Sequence, residues 1–283
     1  MIKFKIPKIE NLYTFKQSLT RKTDKPYSVI SDQFIWRTGG GWSTHFELVG
    51  LGELFATAAT REKCPRDQVR IVFFNKNGQY IGDSYQDVPS YKKISLNISE
   101  LIDVGESSIG TFSVFHPRTP ETLVNLGCSL TERGYVSYAR EGEVLRSFIH
   151  GNYDAIASDS NGGFQSLTGV SILRREYCLQ YCFNIDGKYE TIVVNTTPST
   201  QSIIMRVYDN AIHQSKLRDS LFSYKSIDNS IATLSSKVPS RGLCCFLLSS
   251  SHKPRYAVFE SNSVMLRPVV FHTSERYFNV FHG

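Results

Sequence analysis

Several blocks of this chain recur, in order, about 133 residues downstream. Ser90-Tyr91-Lys92-Lys93-Ile94-Ser95 resembles Ser223-Tyr224-Lys225-Ser226-Ile227-Asp228, an offset of 133. In the same register, Ile98-Ser99-Glu100-Leu101 meets Ile231-Ala232-Thr233-Leu234, and Pro65 meets Pro198. Phe73-Phe74-Asn75 falls one residue out of step with Val207-Tyr208-Asp209. Gly110 meets Gly242 at an offset of 132, each followed by an apolar run. At the same offset Glu143 meets Glu275, and Phe148-Ile149-His150-Gly151 meets Val280-Phe281-His282-Gly283. A period this long is that of a domain, not of a solenoid repeat of roughly 20–50 residues. The expectation is two diverged copies of one unit, residues 1–150 and 151–283, with a pseudo-twofold relation between them.

Short β-type runs separated by turn chemistry fill both halves. In the first half they are Leu54–Ala59, Val69–Phe74, Lys93–Ile98, Thr111–Phe115, Tyr135–Ala139 and Val144–Ile149. In the second they are Cys178–Phe183, Thr191–Val194, Ser202–Tyr208, Gly242–Leu248, Tyr256–Phe259 and Met265–Phe271. Asn77-Gly78, Asp186-Gly187 and several prolines punctuate them. Continuous apolar runs such as Ile71-Val72-Phe73-Phe74 belong in central strands, with both faces covered. No long stretch has a clean helical period; Ser99–Asp103 reads as one turn, capped by Ser99. The fold expected is all-β: two tandem β-sandwich domains, with a closed barrel as the alternative. The alternating Ile2, Phe4, Ile6 against Lys3 and Lys5 reads as an edge strand guarded by lysine.

Charge excludes little but is instructive. The net charge of +6 divides evenly: 19 Lys+Arg against 16 Asp+Glu up to residue 150, and 13 against 10 beyond it. A nucleic-acid binder concentrates its basic residues, so no nucleic-acid partner is expected. The start lacks an apolar core of a signal peptide, and no run of 18 apolar residues occurs. A cytoplasmic protein with no membrane partner follows as the expectation, its six cysteines reduced.

The catalytic signatures are missing. Gly41-Trp42-Ser43 and Gly127-Cys128-Ser129 both lack the closing glycine of a nucleophile elbow. No phosphate-binding glycine loop and no H-E-x-x-H or C-x-x-C spacing occurs, so no catalytic residue, cofactor or metal is assigned. Three sets of residues remain. His150 and His282 end equivalent blocks and could meet in one cleft between the halves, with His272 nearby. The alternative is histidine merely tolerated at strand ends. Trp36 and Trp42 flank Gly39-Gly40-Gly41, with His45 just beyond. Indoles beside a glycine loop suit stacking on a sugar or anchoring a partner; the alternative is a Gly-rich hairpin whose indoles plug the edge of a core. Tyr135, Tyr138 and Arg140, with Glu141, Glu143 and Arg146, could present one polar face of a strand pair, or a solvated ion-paired surface.

These features point to a non-enzymatic binding or scaffold protein that recognises a carbohydrate or a protein partner, with a homo-oligomer compatible with duplication. Two rivals stand beside it: an enzyme with a His-lined, metal-dependent site between the halves, and a structural subunit of a larger assembly.

Overall fold

A computed structural model describes residues 30–50, 67–89, 92–103, 109–116, 134–158, 163–179, 187–208, 232–249, 255–275 and 277–282. The N-terminal alternating segment, the run Leu54–Ala59, the block Ser223–Asp228, and Cys64, Cys128 and Cys182 lie outside them.

Eighteen strands and one short helix are described. The first series is β1 (Ile30–Arg37), β2 (Trp42–Val49), β3 (Asp67–Asn75), β4 (Tyr80–Val88), β5 (Lys93–Asn97), β6 (Ile109–Phe115), β7 (Gly134–Arg140) and β8 (Ser147–Ile149). Then come β9 (Asn152–Ser158) and β10 (Phe164–Ser166). The second series is β11 (Val170–Cys178), β12 (Lys188–Val194), β13 (Gln201–Tyr208), β14 (Ala232–Val238), β15 (Leu243–Ser249), β16 (Tyr256–Ser263), β17 (Val269–Thr273) and β18 (Phe278–His282). Helix α1 (Ile98–Leu101) follows β5. Its cap is Asn97, whose side chain accepts from the Ser99 amide, and not Ser99 as the sequence suggested. Asn97 leads because its amide oxygen reaches the free N–H two residues on.

The strands form four sheets. The first has the order β10-β9-β1-β6-β3-β4 and the second β5-β2-β7-β8. The third is β11-β16-β13-β14 and the fourth β15-β12-β17-β18. Every pairing is antiparallel. The sheets follow one another in a ring, in outline like the four blades of a propeller. The first touches the second through β1, the second touches the fourth at β8 and β18, and the fourth touches the third at β14 and β15. The turn after β14 closes the circuit: the Arg241 guanidinium donates to the Phe164 carbonyl, and Gln33 and Thr111 donate to the Arg241 carbonyl. Propeller blades are meanders of consecutive strands; these sheets draw on strands far apart in the chain.

The orders of the two series correspond. Adding ten to each label in β1-β6-β3-β4 gives the third sheet, and adding ten in β5-β2-β7-β8 gives the fourth. The terminal sequence blocks fall on β8 and β18, which match in place, as do β3 and β13. The Gly110 and Gly242 blocks do not: they lie at β6 and beside β15, which hold different places. An apolar run after a glycine is the pattern of any buried strand, so likeness there does not fix equivalence.

Two main cores result. One, between the first and second sheets, gathers Phe34, Trp36, Phe46, Phe73, Phe112 and Tyr138, and also takes Ile192, Val194, Val269, Phe271 and Val280 from the fourth sheet. The other lies between the third and fourth sheets and holds Tyr189, Val193, Met205, Phe246, Phe259 and Val270. The fourth sheet is therefore apolar on both faces, which is why Ile192-Val193-Val194 reads as an unbroken apolar run. The two halves of the chain share the first core.

Candidate binding surface

Alternation along β2 decides what the second sheet shows to solvent. Trp42, Thr44, Phe46 and Leu48 are buried on its inner face. Ser43, His45 and Glu47 take the other parity. Lys93, Ser95 and Asn97 of β5 lie alongside them, with Tyr135 and Ser137 of β7, because the ladder pairs Glu47 with Ser95 and Tyr135, and His45 with Asn97 and Ser137. Phe148 of β8 sits opposite Ser137.

Glu47 is the centre of this outer face. It is only 6% exposed although it points away from the core. Its Oε1 accepts from Ser95 Oγ at 2.9 Å, Ser137 Oγ at 3.1 Å and Arg146 Nη1 at 2.8 Å, and Lys93 Nζ lies 3.3 Å from Oε2. Burial pushes the carboxyl up, but the hydrogen bonds from Ser95, Ser137 and Lys93 and the lysine charge outweigh it and hold it below its ordinary value. His45, with Ser43 Oγ 3.2 Å from its Nε2, is held below the usual imidazole range by burial and then by Arg146.

Beside the charged centre stand two exposed rings. Tyr135 is 46% and Phe148 51% exposed. The Lys93 ammonium lies 5.8 Å from the centre of the Phe148 ring, and Tyr135 meets the His150 ring at 4.6 Å. His150 in turn faces His282, with ring centres 6.4 Å apart and planes 24° from parallel. They meet where β8 and β18 run side by side without a backbone ladder. Ser147 Oγ bridges that seam, accepting from the Val280 amide at 2.9 Å and placed to donate to the Val280 carbonyl at 2.8 Å or Asn279 Oδ1 at 3.0 Å. Arg267 Nη1 donates to the Gly151 carbonyl at 3.1 Å beside it.

The other sequence candidates are placed differently. His272 is buried, stacked on Tyr189 at 4.3 Å and edge-on to Tyr277, away from the histidine pair. The turn Gly39–Gly41, each glycine at positive φ, carries the chain from β1 in the first sheet to β2 in the second and is closed by a single bridge between Gly39 and Trp42. Its indoles turn inward: Trp36 is fully buried and donates to the Phe74 carbonyl at 3.2 Å, while Trp42 packs edge-on against Phe271 and Phe278. Neither is offered for stacking on a ligand, because each supplies the large apolar surface that closes the first core. Tyr138 is fully buried and donates to the Ile35 carbonyl at 2.8 Å, with burial pushing its phenol far up. Tyr135 and Tyr138 are three apart and fall on opposite faces of β7, so they do not share a surface. Arg140, opposite Trp42 at the end of β7, has the inner parity too.

Glu47, Lys93 and Phe148 were missed by the sequence reading. The strict alternation from Trp42 to Leu48 was the signal for Glu47; it was masked by reading the glycines and their neighbours as one loop. Among the described residues, no three His, Cys, Asp or Glu side chains are grouped to hold a metal ion, and no helix is long and apolar enough to cross a membrane. The described cysteines, Cys178, Cys244 and Cys245, are free thiols. Burial pushes Cys244 up to about 12 and Cys245 up to about 11.

No family model and no curated protein matches the chain. Among solved structures it is similar to a β-glucuronidase from glycoside hydrolase family 2, at 8% identity and a TM-score of 0.14. That match covers 88% of this chain and 23% of that one, so this chain spans about a quarter of its length. A likeness of that degree carries no argument about fold or function.

Proposed function

We propose that this chain is a non-enzymatic recognition protein that binds a carbohydrate on the outer face of its second sheet. The observation that carries the reading is the exposure of Tyr135 and Phe148 beside the hydrogen-bonding set around Glu47. Sugars present flat C–H faces that pack on aromatic rings, and hydroxyls that need donors and acceptors at fixed positions. Tyr135, Phe148 and His150 supply rings; Lys93, Arg146, His45 and Asn97 supply polar groups on the same face.

The underlying architecture is, in this reading, a duplicated β-sandwich unit. The matching strand orders of the two series support it. The shared first core supports one rigid body rather than two independently moving binding modules.

A glycan array probed with the full chain and with the Tyr135→Ala/Phe148→Ala variant tests the proposal. The expected result is retention of a saccharide set by the wild type and a loss of at least about tenfold in affinity in the variant. Circular dichroism should show the variant folded, since both rings are exposed. Wild-type protein that retains no glycan, or binding that survives the double substitution, would overturn the reading.

A further inference from the structure

His282 is an unusual group to find at a seam. Both of its ring nitrogens are shut away from solvent and meet no partner at hydrogen-bonding geometry. A buried polar group without a partner is costly, and a buried cation there costs far more. Burial leads, followed by the Arg267 charge; the His150 backbone pulls the other way, ahead of the His150 charge, and the Pro268 backbone last, and together they bring His282 down to about 4. The rest of β18, Phe278, Asn279, Val280 and Phe281, carries no ionisable side chain. Across the seam stand His150 and, behind it, Tyr135.

β8 and β18 are edge strands of different sheets, and the Ser147 hydroxyl links their backbones through Val280. We propose that the β8–β18 seam is an acid-sensitive latch: protonation of His282, between Arg267 and His150, parts the two edge strands. The ring is tolerated there only while neutral. Once charged, it gains hydration and escapes two like charges by leaving. The sign follows from linkage. The parted form takes up its proton near the ordinary imidazole value of 6.5, while the closed form does so only near 4. The seam is therefore intact above pH 6.5 and weakens progressively as the pH falls toward 4. The latch does not rest on the carbohydrate reading, although His150 belongs to both places.

Residue-resolved amide exchange on the full chain, corrected for intrinsic rates, tests it. The Val280 amide reports the seam, because its acceptor is Ser147 Oγ. Val193, central in the fourth sheet, is the control. Between pH 7 and pH 5, protection at Val280 should fall about 20-fold with Val193 unchanged. His282→Phe, which keeps a ring and removes the proton, should abolish that pH dependence. Should His282→Phe fail to fold, the wild-type His282 ring followed by NMR must titrate below pH 5. Protection that is independent of pH, a joint loss at Val193 and Val280, a pH response that persists in His282→Phe, or ring titration near 6.5 would each overturn the latch.

Discussion

The Trp42 indole meets the Phe271 ring edge-on at 5.3 Å, joining β2 in the first half of the chain to β17 in the second. Tyr138 reaches the same phenylalanine at 4.8 Å. Phe271 is thus a second-half residue completing a first-half core.

Truncating it tests that relation. Phe271→Ala removes a fully buried ring and should cost about 3–5 kcal/mol. Because the core is common, the whole chain should unfold in one transition at a lower denaturant midpoint. Calorimetry and urea denaturation followed by tryptophan fluorescence decide the matter. Two separated transitions, with only the second half weakened, would contradict a shared core.

Arg37 and Glu190 form a second link between the halves. Arg37 Nη2 lies 3.0 Å from Oε1 and 2.8 Å from Oε2 of Glu190, and the guanidinium also sits over Trp42 at 4.8 Å and Phe271 at 5.2 Å. With side chains 17% and 21% exposed, the pair is more sheltered than a surface ion pair. Glu190→Ala should cost about 2–3 kcal/mol by leaving the cation unpaired. Arg37→Lys should not restore wild-type stability, since an ammonium loses the planar stacking. A double-mutant cycle of Arg37→Ala and Glu190→Ala should return a coupling of about 1–2 kcal/mol; additive effects would remove the pair as a link.

Glu47 makes stability depend on acid. Its carboxyl is held below the ordinary value of 4.5 when folded, so the stabilisation is present above 4.5 and is lost as the pH falls through the lower folded value. Glu47→Gln should therefore cost about 1–3 kcal/mol at pH 7 and progressively less in more acid solution. Urea midpoints of both proteins from pH 7 to pH 3 give the answer. A cost that stays constant across that range would show that shape, not charge, is what Glu47 supplies.

Gly78 and Gly142 both have positive φ, at 75° and 85°, but their surroundings differ. A methyl group on Gly142 would meet nothing within 4 Å, whereas one on Gly78 would stand 2.0 Å from the Ser240 carbonyl oxygen. Gly142→Ala should cost about 1 kcal/mol of backbone strain. Gly78→Ala should cost about 2–4 kcal/mol, because the Ser240–Gly242 turn must also move away. Thermal midpoints of the two variants separate the contributions. Equal losses would mean that the turn yields freely.

Strand content was legible wherever burial leaves a local pattern. Val69–Phe74, Thr111–Phe115, Tyr135–Ala139 and Ser202–Tyr208 lie within β3, β6, β7 and β13. Val144 is 96% and Leu145 79% exposed ahead of β8, so apolar character misled there. Nothing local distinguishes an exposed apolar turn from a strand start. The strands on either side of Gly39–Gly41 were less legible, because β1 and β2 bury polar residues, Asp32, Gln33 and Thr44, among their apolar ones.

The surface was less legible still. Glu47 and Arg146 are 99 positions apart, and Arg37 and Glu190 are 153 apart. No periodicity couples such positions; only sheet order brings them together.

By itself the sequence determined the all-β class and the turns at Asn77-Gly78 and Gly39–Gly41. These follow from local backbone preference and side-chain parity, which need no partner to be read. Tertiary structure alone decided that both indoles are buried, that the fourth sheet serves two cores, and that Glu47, Tyr135, Phe148 and His150 share one face. Those outcomes depend on which sheet lies against which, and that is set by the summed fit of distant apolar faces.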